Sequence, residues 1–213
     1  MSSGPDLSVI IPYRNGEDGH KKLGTFFNNL GDTGIEVLTV NAGSRAKSLN
    51  EGAKKAKNTY LWFVHADTVL DTTHINALRS SIRSSSKSLH FFDLEFDSDG
   101  PALTRINAFM ANIRARFLGI PWGDQAFCIH RDVFFDAKGF PEDRAYGEDH
   151  IFVWRLYQKG YGIKHVRIKI VTSARAYRNK GWLRLTLLRQ VLWIKQALPE
   201  LVKLWIIRIR KFL

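Results

Sequence analysis

One cysteine, Cys128, is all that the 213 residues contain. It cannot close an internal disulfide, and a cysteine metal cluster is excluded with it. Its neighbours, Ala126-Phe127-Cys128-Ile129, read as a strand, so the thiol is expected as a small buried hydrophobe and not as a nucleophile. No apolar run approaches the roughly 20 residues that span a bilayer. Met1 to Asp6 is small and polar, unlike a signal peptide. Together these absences point to a cytoplasmic protein, or one attached to the inner face of a membrane. No internal repeat is present, and Ser84–Ser88 is a short loop bias. Acid is scarce at one end. From Ile163 to Leu213 thirteen Lys and Arg face one acid, Glu200. Residues 1–162 hold nineteen of each sign, so the net charge of +12 lies wholly in the last quarter. A localised basic block calls for an anionic partner: lipid head groups, nucleic acid or diphosphate.

What the chain does have is a 45% hydrophobic content, enough for a sizeable core. Strand-like and helical runs alternate, which predicts an α/β chain with a mostly parallel central sheet flanked by helices. Strands are expected at Ser8–Pro12, Glu36–Val40, Leu61–Val64, Leu89–Phe96, Gln125–Ile129 and Lys164–Val171. Helices are expected near Lys21–Leu30, Ala46–Lys57, Thr73–Ser84, Ala102–Phe117, Arg131–Ala137 and Glu148–Lys159.

The third strand, Tyr60-Leu61-Trp62-Phe63-Val64, ends abruptly at His65-Ala66-Asp67-Thr68. Ligands of open α/β sheets sit at the carboxyl ends of strands, and a carboxylate there suits a divalent cation that grips a diphosphate. A strand that exits into a polar loop explains the same residues. Leu7-Ser8-Val9-Ile10-Ile11-Pro12-Tyr13-Arg14-Asn15 is a second buried strand stopped by proline. Downstream, Gly147-Glu148-Asp149-His150 opens a helix, where paired acids also serve the helix dipole.

In this order the motifs resemble family 2 glycosyltransferases of the GT-A fold. The likeness is strongest to a small bacterial subgroup in which the DxD element is shortened to His-Ala-Asp-Thr, as at His65–Thr68. Gly123-Asp124-Gln125-Ala126, Glu148-Asp149 and Thr172-Ser173-Ala174-Arg175 carry the rest of the likeness, which runs from Leu7 to about Gln190. It implies an inverting transfer of a sugar from a nucleotide-diphosphate donor to an acceptor hydroxyl. It implies Asp67 as ligand of a Mg²⁺ or Mn²⁺ ion and as a donor-binding residue, with His65 against the ribose or nucleotide. Asp149 becomes the base, with Glu148 beside it to orient a neighbour or bind the acceptor. Pro12, Arg14, Asn15, Asn41, Arg45 and Asn50 become donor contacts. Gly123 and Asp124 fall on the acceptor side, where an ordinary turn before a strand is the competing explanation. Arg175 suits a diphosphate or, equally, a membrane. The chain departs from the family after its second strand. Asn41-Ala42 replaces a base-reading aspartate, and about twenty residues are missing between Gly43 and Arg45. No Gln-x-x-Arg-Trp element is present, which argues against processive polysaccharide synthesis.

Residues 1–180 form the expected transferase domain and 181–213 a basic amphipathic segment. Leu183, Leu187, Val191, Ile194 and Leu198 recur at helical spacing. After Pro199 a second helix is expected, with Leu201, Val202, Trp205, Ile206, Ile209, Phe212 and Leu213 on one face and Lys203, Arg208, Arg210 and Lys211 on the other. Such helices lie in a membrane interface, apolar face inward and cations toward phosphates, or else pack on the domain or on a second subunit. An anionic membrane surface is therefore the expected partner, which brings a lipid-linked acceptor into view. Nucleic acid is not expected, because the aromatics are not interleaved with the charges. Oligomeric state is left open. The competing function is a non-catalytic membrane-binding module on a degenerate GT-A scaffold.

Overall fold

The computed structural model describes residues 4–212, without the side chains of residues 211 and 212. The predicted roles of Lys211, Phe212 and Leu213 lie outside what is described. Six strands form one sheet: β1 (Leu7–Pro12), β2 (Ile35–Val40), β3 (Tyr60–Phe63), β4 (Leu89–Phe96), β5 (Cys128–His130) and β6 (Ile163–Thr172). Their spatial order is β2-β1-β3-β5-β4-β6. β1 runs parallel to β2 and β3, β4 runs parallel to β6, and β5 is antiparallel to both its neighbours.

Strands buried on both faces carry apolar side chains at odd and even positions alike. Val9, Ile11, Trp62 and Phe92 face one cluster, which α1 (Gly19–Asn29) and α3 (Thr72–Ser84) cover through Leu23, Phe27, Ile75, Leu78 and Ile82. Ile10, Leu61, Phe63 and Phe91 face the other. That side is covered by α2 (Arg45–Lys55), α5 (Arg131–Asp136), α6 (Glu148–Lys159) and α8 (Trp182–Phe212). Side-chain caps fix where helices begin. The Ser44 hydroxyl accepts from Lys47 N at the start of α2. Asp71 and His74 form a reciprocal capping box on α3, satisfying amides that the helix leaves unpaired.

Three expectations need correction. Gln125 is not in a strand: Gly123–Gln125 forms a 3-10 turn, and Ala126 turns left-handed (φ 49°) before β5 starts at Cys128. The fourth helix is shorter than expected. α4 is Thr104–Ile113, and Arg114–Leu118 continues as a π-turn that Gly119 (φ 65°) stops. Pro199 does not divide the end into two helices, for α8 runs through it for 31 residues. Ala197, Glu200 and Leu204 are buried around the proline, and the Gln158 amide donates to the Glu200 carboxylate (2.9 Å). Those anchors hold the helix where proline removes one backbone hydrogen bond. A short helix that the sequence did not suggest, α7 (Arg175–Lys180), precedes it. Among the described residues no helix is long and apolar enough to cross a membrane.

Candidate active site

The carboxyl ends of β1, β2 and β3 open into a cleft of about 900 Å³. A second chamber of about 430 Å³ adjoins it, and both are bordered by Arg14, Arg45, His65, Asp67, Ser173 and Arg189.

The cleft is built by loops that leave the strands. Pro12 ends β1 and Arg14 follows it on the wall. Asn15 accepts a hydrogen bond from Asn41 Nδ2 (2.9 Å), which ties the loops after β1 and β2 together. Only residues 41–44 separate β2 from α2, and the Ser48 hydroxyl accepts from Ala42 N (2.9 Å) to hold that short turn. Asp67 follows β3. Its carboxylate accepts from the Thr172 hydroxyl (3.2 Å) and faces the Arg175 guanidinium at 3.8 Å. Burial raises its pKa against the pull of those partners. The His65 ring is kept neutral by burial and by the nearby Arg45 cation, its pKa falling well below the usual value, and its Nε2 is enclosed without a hydrogen-bond partner.

The chamber holds the other acids. Gly147 (φ 82°) makes the left-handed turn that starts α6, a conformation that favours glycine. Glu148, buried, and Asp149 follow it. Arg45, at the first position of α2, lies 3.3 Å from Glu148 and 3.7 Å from Asp149. Asp149 Oδ2 accepts from Gly123 N (2.7 Å) and Oδ1 from His150 N (2.8 Å). Burial would raise the Asp149 pKa, but Arg45 and these donors outweigh it and hold the group low. Glu148 goes the other way, raised chiefly by burial. A Cβ on Gly123 would strike the Arg45 guanidinium and stand 3.1 Å from Asp149 Oδ2, so the backbone reaches the carboxylate only because residue 123 has no side chain. Asp124 has an enclosed Oδ1 without a partner, and burial, reinforced by Asp149, raises its pKa.

Asp67 and Asp149, far apart in sequence, thus border one chamber. Asn50 does not join them. Its amide is committed to the 140–142 loop, donating to Phe140 O (2.8 Å) and Glu142 (2.8 Å) and accepting from Phe140 N (3.0 Å). It lines neither cavity and pins a loop instead of contacting a donor.

Sequence reasoning missed several lining groups. Arg189 borders both cavities and donates to the Tyr177 hydroxyl (2.9 Å). Trp122, Tyr177 and Trp193 line the chamber, and the Arg114 guanidinium lies 3.7 Å from the Trp122 ring centre. Arg189 and Trp193 sit on a helix whose repeat drew attention to its opposite face. The signal that was present is a second face on α8, at Leu185, Arg189, Leu192, Trp193 and Gln196.

Among the described residues no cluster of three or more His, Cys, Asp or Glu could hold a metal ion. Asp67 stands there as a single carboxylate, and a Mg²⁺ ion held by one carboxylate takes its remaining ligands from water and phosphate oxygens.

No protein-family profile matches the chain, and no curated protein matches it in sequence. Solved structures do. The crystal structure of S. aureus TarS 1-349 matches at a TM-score of 0.55 and 13% identity, over 79% of this chain and 60% of that one. TarS 1-349 in complex with UDP-GlcNAc matches at 0.53 and 13%, over 79% and 58%. The chain spans about three fifths of these neighbours' length. TarS is a staphylococcal glycosyltransferase with a GT-A-like fold, and that fold is the one this chain adopts.

Proposed function

We propose that this chain transfers a sugar from a nucleoside-diphosphate sugar to an acceptor hydroxyl, with inversion. The carrying observation is the junction of two cavities at Arg45, His65 and Asp67. The larger takes the donor, the smaller the acceptor. The complex of TarS with UDP-GlcNAc supports this donor class. In the transfer the acceptor oxygen bonds to the anomeric carbon as that carbon's bond to the diphosphate oxygen breaks, and the hydroxyl proton passes to a carboxylate.

Asp149 is assigned as that carboxylate and Glu148 as the group that holds Arg45 at the junction. Arg14, Arg175 and Arg189 suit the departing diphosphate, whose growing charge must be met. Asp67 would hold a Mg²⁺ or Mn²⁺ ion, which when bound supplies further charge to the leaving oxygens. Pro12 and Asn41 form the base and ribose end, and Asn15, which lines neither cavity, positions Asn41 by accepting from its amide. One observation favours a second assignment of the base: Asp124 offers a free buried oxygen, whereas both Asp149 oxygens already accept backbone donors. The exposed apolar stripe of α8 and the cations beside it support an anionic membrane surface as partner.

Calorimetry with UDP-, GDP- and TDP-sugars, with and without Mn²⁺, tests the reading. At least one donor should bind, and Asp67→Ala should weaken Mn²⁺-dependent binding by roughly tenfold or more. Asp149→Asn should slow transfer by at least about 100-fold with donor affinity little changed. If no nucleotide binds under any condition, the chain is a binding module on a GT-A scaffold.

A further inference from the structure

The apolar stripe of α8 has a neighbour that the sequence did not single out. On α4 and the π-turn after it, Leu103, Ile106, Phe109, Met110, Ile113 and Phe117 are exposed, Phe109 to 62% and Phe117 to 80%. No such run is needed for folding, and contiguous exposed apolar surface marks an interaction site.

Side-chain contacts link the two helices in the same order along each, so they run in the same direction. Asn107 of α4 donates to the Thr186 hydroxyl (3.0 Å) and accepts from the Trp182 indole (2.6 Å). Seven residues further along, Arg114 lies 5.9 Å from the Trp193 ring centre. A helix turns about 100° per residue. By that measure the exposed positions of α4 lie about a quarter-turn to one side of Asn107 and Arg114. Those of α8 lie about a third of a turn to the opposite side of Trp182, Thr186 and Trp193. On helices that run in the same direction, opposite senses turn both apolar faces the same way. The result is one platform, extended along α8 to Trp205 and Ile209, which are exposed to 65% and 51%.

We propose that α4 and α8 together form a platform that seats on an anionic lipid bilayer, with the acceptor chamber opening at its edge. Charge selects the occupant. Arg105, Arg184, Lys195, Arg208 and Arg210 are exposed on these segments, while Arg116 is paired with Asp93 and Lys203 with Glu200. The one acid they carry among the described residues, Glu200, is buried. A second copy seated face to face would set these cations against their own equivalents, since a two-fold interface pairs a patch with itself. Anionic head groups complement them. Leu188 is half exposed and also lines the chamber, so the platform and the acceptor site share a wall. An amphiphilic acceptor can therefore keep its apolar part in the bilayer while its hydroxyl enters past Leu188. The platform rests on the membrane reading of α8, and only this last step rests on the transfer chemistry.

The test is co-sedimentation of the full chain with vesicles of phosphatidylcholine alone and of phosphatidylcholine mixed with phosphatidylglycerol, in parallel with light scattering without lipid. The chain should bind the mixed vesicles more tightly than the neutral ones. The α4 variant Phe109→Ser/Met110→Ser/Phe117→Ser should weaken binding by roughly tenfold or more with an unchanged melting temperature. Phe117→Ser alone should give a smaller loss if the triple variant does not fold. Equal binding by wild type and both variants, or no binding by wild type, overturns the platform. So does a wild-type dimer that the α4 substitutions dissociate, for then a second copy covers the face. The assay needs no donor: vesicle binding without nucleotide binding upholds the platform and refutes the transfer.

Discussion

Arg45 sets the electrostatics of the cleft. It faces Glu148 and Asp149 together, and those carboxylates outweigh its burial to raise its own pKa. The same contact is what holds Asp149 low against burial. A base works deprotonated, so a lowered pKa extends its working range toward acid. The acid limb of kcat/KM, which reports the base in the free enzyme, should therefore lie below the ordinary aspartate value of about 4. Arg45→Gln removes the largest influence opposing burial and leaves only the Gly123 and His150 donors, so the Asp149 pKa rises and the limb should move to higher pH. The shape of the profile is the readout, because Arg45 also borders the larger cleft and its loss will lower the rate. A wild-type limb above the ordinary carboxylate range that disappears in Asp124→Asn would assign the base to Asp124 instead, whose burial raises its pKa.

At the scale of elements, α8 carries the largest departure from what the sequence suggests. Proline inside a helix costs about 3 kcal/mol relative to alanine, because its ring clashes and its nitrogen has no hydrogen to give. Burial on both sides of Pro199 offsets that cost. Pro199→Ala should then stabilise the chain by about 2 kcal/mol and raise Tm by roughly 4–8 °C, read from thermal unfolding by circular dichroism. An unchanged Tm would mean that the helix is already bent there in a way alanine cannot exploit. Other elements were legible because a single local rule decides them. β4 and α6 fall at their expected bounds, Leu89–Phe96 and Glu148–Lys159, β4 as a largely apolar run whose alternation is imperfect. Gln125 was not legible, since its place depends on distant partners: its side chain accepts from Trp122 N (3.0 Å) and donates to Phe92 O (2.9 Å). The site divides in the same way. His65 and Asp67 are readable as the abrupt polar end of an apolar run, and Glu148 and Asp149 as paired acids at a helix start to which the family resemblance gives a role. Tyr177, on α7, and Arg189 and Trp193, on α8, become site residues only when those helices fold across the chamber.

For the whole molecule the question is whether residues 181–213 are an appendage. Composition says so, with the charge excess concentrated there and an apolar stripe that no sheet needs. The packing says otherwise. Leu185, Ala197 and Leu204 are buried, and Trp193 packs against the core that α6 covers. Gln196 bonds His150 (2.6 Å), the residue after Asp149. Leu185, Leu188, Arg189, Leu192, Trp193 and Gln196 are a wall of the smaller chamber. Burying a leucine is worth about 1.5–3 kcal/mol. Two leucines with the tryptophan and alanine therefore contribute on the order of 5 kcal/mol, comparable to the entire 5–15 kcal/mol that holds a typical domain folded. A chain cut after Lys180 should accordingly lose more than membrane affinity. It is expected to melt without a sharp transition, or at a Tm lower by ten degrees or more (about 2–4 °C per kcal/mol at this size), and to lose transfer to any acceptor, soluble ones included. If the shortened chain instead unfolds cooperatively near the full-length Tm and still glycosylates a soluble acceptor, α8 is a detachable membrane anchor and the chamber is complete without it.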